Sequence, residues 1–258
     1  MSYFKKISAA GFIILVVVFG SWYQFREKEK VADNIRSGKE EAIFQEMSEP
    51  ETRKNESATE PQEANIANKK ELPESILIKV PFLVQAPFAV WDPLHEDACE
   101  EASLIMVKHF LDKEESISSM AGDVEIRKLV RYEEQNGYGL SITMEQLAQI
   151  AKDYYKMENP RVEKNITVQD IKKELASGRP VIVPAAGKIL PNPYFRGGGP
   201  VYHMLVVIGY DKNGFITNDP GTRKGEDFHY SFNDLYNAIH DWDKNNILNG
   251  QKTYLVFD

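Results

Sequence analysis

Cysteine is almost missing from this chain of 258 residues: the only one is Cys99. A lone thiol cannot close an intramolecular disulfide, so no such crosslink holds the fold. Basic charge is also in short supply. Against 39 Asp and Glu stand 31 Lys and Arg, for a net charge of −8. No basic stripe and no interleaving of aromatic with basic residues occurs, which argues against nucleic acid as a partner. Of the five histidines none stands in a His-Glu-x-x-His spacing, so no metal is expected, and no other cofactor is implied. There is no internal repeat. Long apolar runs are scarce too, with one exception at the N-terminus.

That exception covers residues 7–23, where residues 12–19 read Phe-Ile-Ile-Leu-Val-Val-Val-Phe. The length lies near the lower limit for a membrane span. A basic start at Lys5 and Lys6 also fits a secretory signal, but no small-x-small cleavage site follows, and Trp22 and Tyr23 suit interfacial anchors. The segment is therefore read as an uncleaved signal anchor, with a cleaved peptide as the second choice. Residues 1–6 would face the cytoplasm and the remainder would lie outside the cell membrane. Arg26, Lys28 and Lys30 beyond the run weaken that orientation. Residues 24–72 are rich in Glu, Lys, Asn, Ser and Gln and cannot bury enough apolar surface to offset the entropy of ordering. They read as a disordered polar linker, and a globular domain is expected over 73–258.

Within that domain the run 76–84 is strand-like, although Pro81 suggests an edge. Helical spacing follows from Cys99 to about Leu111, then over 124–135, 144–155 with Thr143 as N-cap, and 168–176 with Thr167 as N-cap. The pattern then changes to short apolar runs at 180–184, 202–210, 215–218 and 253–257, interrupted by a helix at 232–241. Asp211, Lys212, Asn213 and Gly214 form a tight turn by composition, so 202–210 and 215–218 make a hairpin. Helices first and an antiparallel sheet afterwards give an α+β domain.

Cys99 stands at the point where a loop runs into the first of these helices. Amide N–H groups in a first turn lack intrahelical partners and carry the positive end of the helix dipole. A thiol in that field ionises more readily, and the thiolate is the nucleophile. The alternative is a buried free cysteine packing as a small hydrophobe. A thiolate also needs a base, and the base needs an orienting group. His109 lies ten positions along the same helix, out of reach; His95 sits in a loop beside Glu96 and Asp97, and His229 and His240 fall in late polar segments. His203 opens a strongly apolar strand after Gly197, Gly198 and Gly199, which suits a rigid ring facing a cleft or, equally, a satisfied core histidine.

The hairpin brings its open end to Asn218 and Asp219, which Pro220 and Gly221 follow. Adjacent strand residues face opposite sides, so only one of the two can orient His203. A strict two-residue turn at Lys212 and Asn213 selects Asn218, and one extra loop residue, as in a bulged turn, selects Asp219. Spacing alone leaves both open, as it leaves Asp219 a plain turn residue. Gln85, at the end of the first strand, is either a solvated polar residue or a side-chain donor that joins the Cys99 amide at a developing oxyanion.

These residues together resemble the C39-like cysteine peptidases, a branch of the papain-like fold. The resemblance rests on four blocks in order: 80–85 ending in Gln85; Ala98, Cys99, Glu100, Glu101, Ala102 and Ser103; 202–211 with His203; and Asn218, Asp219, Pro220, Gly221 and Thr222. It implies a nucleophile at Cys99, a base at His203, an orienting carboxylate at Asp219 and an oxyanion residue at Gln85, with a peptide or protein as substrate. Many members carry Cys-Gly-Pro where this chain has Cys99, Glu100 and Glu101, and two carboxylates beside the thiol oppose its ionisation. The papain signature Cys-Gly-Ser/Ala-Cys is absent, as is any nucleotide-binding cassette. The expectation is a membrane-tethered thiol hydrolase of peptide or isopeptide bonds. An amidase or transglutaminase-like acyltransferase, or a silent papain-like binding domain, are the rivals.

Overall fold

The computed structural model describes residues 71–258. The expected signal anchor over 7–23 and nearly all of the expected linker over 24–72 lie outside the described residues. Among the described residues no helix is long and apolar enough to cross a membrane.

A seven-stranded antiparallel sheet forms the centre. Its strands are β1 (Ile76–Leu77), β2 (Pro160–Lys164), β3 (Val181–Ala185), β4 (His203–Tyr210), β5 (Phe215–Asn218), β6 (Phe228–Tyr230) and β7 (Thr253–Phe257), in the order β2-β7-β3-β4-β5-β6 with β1 paired to β4. The helices are α1 (Pro93–Glu96), α2 (Cys99–Leu111), α3 (Ser119–Gln135), α4 (Met144–Asp153), α5 (Val168–Ala176) and α6 (Phe232–Ala238). Strand alternation divides the core in two. Ile182, Met204, Val206, Ile208 and Leu255 pack with α2, α3 and α4. Val181, Val183, Leu205, Val207 and Val256 pack with α5 and α6 on the opposite face. The N-terminal helices thus lie on the sheet as expected, and two later helices cover its other side. Both faces being covered explains why every residue of β3, β4, β5 and β7 is buried.

Local chemistry places the helices. Thr143 and Gln146 close a reciprocal capping box at the start of α4, and Thr167 and Asp170 close another at α5. The start of α2 has no side-chain cap; Ala98 occupies that position. Nine consecutive residues of α2, Cys99 to Val107, are buried, so this helix is enclosed on all sides.

The first strand is much shorter than the apolar run 76–84. Only Ile76 and Leu77 join the ladder. Beyond them Pro81 has no N–H to give, and the chain follows the sheet through single bonds: Ile78 N–H to the Ile208 carbonyl (2.8 Å), Asn218 Nδ2 to the Val80 carbonyl (2.9 Å) and Gln85 N–H to the Pro220 carbonyl (2.9 Å). This laces Gln85 to the end of the hairpin. The edge strands β2 and β6 have no strong sequence signal: β2 is Pro-Arg-Val-Glu-Lys and β6 has three residues.

Gly209 lets β1 approach β4. A Cβ there would lie 2.3 Å from the Ile76 carbonyl oxygen, a backbone atom that cannot swing away. Gly209→Ala is expected to detach β1 and destabilise the domain by about 1–3 kcal/mol, the usual range for overpacking. Urea unfolding of the two proteins measures it.

Candidate active site

His203 is the first residue of β4, and its ring is almost wholly buried. Nε2 lies 2.8 Å from Asp219 Oδ1. The register that makes this contact has an identifiable source. Tyr210 pairs with Phe215 and Gly209 with Ile216, as a tight turn requires, and Asp211 N–H donates to the Gly214 carbonyl (3.0 Å). Past a bulge, Val207 pairs with Thr217 and Val206 with Asn218. The extra residue is therefore Ile208, within the strand, and the turn itself stays tight. That single insertion moves Asp219 onto the side of His203. Asn218 turns elsewhere, donating to the Val80 carbonyl and accepting from Asp227 N–H (3.3 Å).

Asp219 is completely buried and accepts four hydrogen bonds. Oδ1 takes His203 Nε2 and Gly221 N–H (2.9 Å); Oδ2 takes the Tyr230 hydroxyl (2.6 Å) and Asn192 Nδ2 (3.2 Å). Burial pushes its pKa up, but the facing His203 ring and the donors Tyr230 and Gly221 outweigh burial and hold it below the usual carboxylate range. An ionised carboxylate only accepts, so Nε2 carries a hydrogen, and in the neutral ring Nδ1 is the acceptor. Nδ1 makes no hydrogen bond among the described residues. Gly221 permits the close approach, since a Cβ there would lie 2.9 Å from both His203 Cε1 and Phe195 Cε1. Asp219 is thus a turn residue and a histidine partner at once.

Cys99 is the first residue of α2 and is buried. Its Sγ lies 2.8 Å from Glu100 Oε2, and the amide of Met204, the residue after His203, also faces it. No hydrogen bond joins the sulfur to the His203 ring. Burial, then the neighbouring Glu100 and Glu101 carboxylates, push its pKa well above the ordinary value, outweighing the Met204 amide. Burial likewise raises Glu100 to about 8 and Glu101 to about 7. Glu133 of α3 is raised by burial and by the Glu101 charge, and it donates its proton to Glu101. Among the described residues no Lys or Arg reaches this group.

Gln85 is buried beside the same region, but its amide is engaged. Nε2 donates to the carbonyls of His95 (2.8 Å) and Glu96 (3.1 Å), and Oε1 has no partner among the described residues. It therefore fixes the loop ahead of Cys99. His95 braces that loop from the other side, its ring set between Asp92 (2.7 Å) and Asp123 (3.0 Å). His109 pairs with Glu114 and Glu125, far from the thiol along α2.

A cavity of about 600 Å³ opens onto Gln85 and His203. Trp91, Phe195, Tyr202 and Trp242 give it aromatic walls, and Glu96, Asp97 and Arg196 supply charge. Cys99 does not form part of the wall. Asn192 and Tyr230, which complete the Asp219 cage, escaped sequence reasoning because nothing local distinguishes them. The only signal was the density of aromatics between 191 and 236.

The profile of the Peptidase_C39 like family matches residues 77–246, a span that includes Gln85, Cys99, His203 and Asp219. A crystal structure described as a C39-like peptidase from Bacillus anthracis aligns with a TM-score of 0.49 at 17% identity, covering 72% of this chain and 98% of that one. No curated protein matches the chain.

Two outcomes follow from the charges. Tyr230→Phe removes one of the four bonds to a buried carboxylate and should cost about 2 kcal/mol in urea unfolding, with Asp219 titrating higher. The pH dependence has two signs. Asp219, held low in the fold, stabilises above the usual carboxylate range, and that contribution is lost as pH falls through its folded pKa. Glu100 and Glu101, held high, favour the fold below the usual carboxylate range, and that contribution is lost as pH rises toward about 8 and about 7 respectively. Melting temperature should therefore fall between pH 5 and pH 9, and Glu101→Gln should flatten that fall.

Proposed function

This chain belongs to the Peptidase_C39 like family, with its papain-like α+β fold, and on that footing we propose that it is a thiol hydrolase cleaving peptide or isopeptide bonds. Cys99 is the nucleophile, His203 the base and Asp219 its orienting partner. The observation that carries this reading is the arrangement of the imidazole: Nε2 is locked to a buried, ionised Asp219, and Nδ1, beside a cavity, has no partner among the described residues. That is the geometry a general base needs, with the tautomer fixed and the accepting nitrogen available.

The chemistry runs as follows. Cys99 Sγ turns from Glu100 toward Nδ1 and gives up its proton as sulfur attacks the substrate carbonyl carbon. The carbonyl oxygen takes the negative charge, and the Cys99 N–H at the uncapped start of α2 donates to it. Collapse breaks the carbon–nitrogen bond, the amine leaves with the proton from His203, and a thioester remains on Cys99. Water then loses a proton to His203, attacks the thioester and releases the acid and the thiol. Gln85 joins the oxyanion donors by releasing the longer of its bonds, that to the Glu96 carbonyl. Residues 7–23 anchor the domain to the membrane through the tether 24–72, with 73–258 outside the cytoplasm; the apolar run and its basic start support this.

A second reading has its own support. The bond from Cys99 to Glu100, and the raised pKa of the thiol, favour a domain that keeps the fold and binds without reacting. Digestion of a peptide library separates the two: wild type should cut and Cys99→Ala should not, and identical digests would refute hydrolysis. Added amines that capture the acyl group would instead mark a transferase. Alkylation of Cys99 by iodoacetamide at pH 7 should slow by about 10²-fold in His203→Ala, the scale of a general base. Equal slow labelling of both proteins favours the silent domain.

A further inference from the structure

The sulfur's present partner deserves a role of its own. Cys99 and Glu100 are 4% and 2% exposed, and the 2.8 Å bond between Sγ and Oε2 joins them, while the other carboxylate oxygen, Oε1, has no partner among the described residues. The groups around Glu100 can be named element by element. Its own amide and that of Ile142, from the loop before α4, face the carboxylate. Glu101 lies beside it on α2, Glu133 faces it from α3, and Tyr202 faces it from the segment leading into β4. Asp241 stands one step further, within 3.4 Å of the Tyr202 hydroxyl. All of these are acids or weak acids, and none is a cation. Beside the two amides, the thiol is the side chain that donates to Oε2 among the described residues, and Oε2 is the acceptor the thiol uses.

We propose that Glu100 is a positioning residue that holds the Cys99 thiol and shares its proton, so that sulfur reaches His203 only by leaving this carboxylate. The inference rests on the reading of Cys99 as nucleophile. In the resting pair the S–H bond points at Oε2. In the working pair that bond breaks, an N–H bond forms at Nδ1, and the charge left is thiolate and imidazolium; Glu100 ends with the same proton count as before. The carboxylate is thus a competitor of the imidazole. It keeps the thiol neutral until substrate fills the cavity beside His203.

The test reads sulfur and carboxyl directly and requires no turnover, so a chain without peptidase activity would still give an answer. In wild type, the rate of Cys99 alkylation by iodoacetamide should depend on pH in two steps, because carboxyl and thiol titrate as one pair. Glu100→Gln keeps the shape, removes the charge and offers an amide N–H to the sulfur. It should collapse the profile to one step and raise the rate at pH 9, above the Glu100 titration, about tenfold, the scale of removing a like charge at contact distance. Glu101→Gln, which alters the field without touching sulfur, should retain two steps. A Glu100→Gln profile superposable on wild type overturns the proposal, as does an identical change in Glu101→Gln. Should Glu100→Gln fail to fold, Cys99→Ala gives the reciprocal measurement by ¹³C-carboxyl NMR. Loss of the S–H donor must raise the Glu100 titration, and an unmoved titration overturns the proposal equally.

Discussion

A carboxylate removed from water needs every lone pair occupied, and the candidate site is organised around meeting that need for Asp219. Its four donors come from four separate places: the start of β4, the turn after β5, the segment following β3, and β6. Each is brought in by the sheet or its connections, so the ring of His203 cannot reorient without unpicking several elements. The ionised state of Asp219 follows from this cage, and the tautomer of His203 follows from Asp219. The orientation of the imidazole is thus a property of the sheet as a whole.

The opposite logic governs the other half of the site. α2 is enclosed by apolar layers, and it carries two glutamates into them with no cation among the described residues to meet either. Such groups are tolerated by keeping their protons. The price is paid in the thiol, which sits among acids that resist losing charge-neutrality and becomes one of them. A helix start that would otherwise favour a thiolate is opposed here by desolvation and by Glu100 at hydrogen-bond distance, with Glu101 beside it, and the dipole contributes only a fraction of a charge. The two halves of the candidate site therefore differ in charge, with an anion at Asp219 and acids held toward their neutral forms at Cys99 and Glu100.

Much of the fold was legible because its signals are local. Capping residues Thr143 and Thr167 marked the starts of two helices to the residue, and the unbroken apolar run of β4 announced a buried strand. The helix at Cys99 and the hairpin were legible for the same reason. Edge strands β2 and β6 were not, since their pairing partners supply what their own composition lacks. At the site, Cys99, His203 and Asp219 could be picked out in order, whereas the choice between Asn218 and Asp219 could not be made from spacing. It depended on a bulge at Ile208, in a segment whose composition is uniformly apolar. The engagement of Gln85 with the carbonyls of His95 and Glu96, and of the thiol with Glu100, are facts of side-chain rotation that no pattern encodes.

The bulge at Ile208 makes the identity of the histidine's partner a matter of parity. Deleting one residue between His203 and Asp219 would present an amide, Asn218, in place of the acid, with no base substitution at either codon. A lineage with this hairpin could therefore exchange a Cys-His-Asp for a Cys-His-Asn constellation through one in-frame slip. The carboxylate here is preserved by the length of a strand as much as by the residue itself.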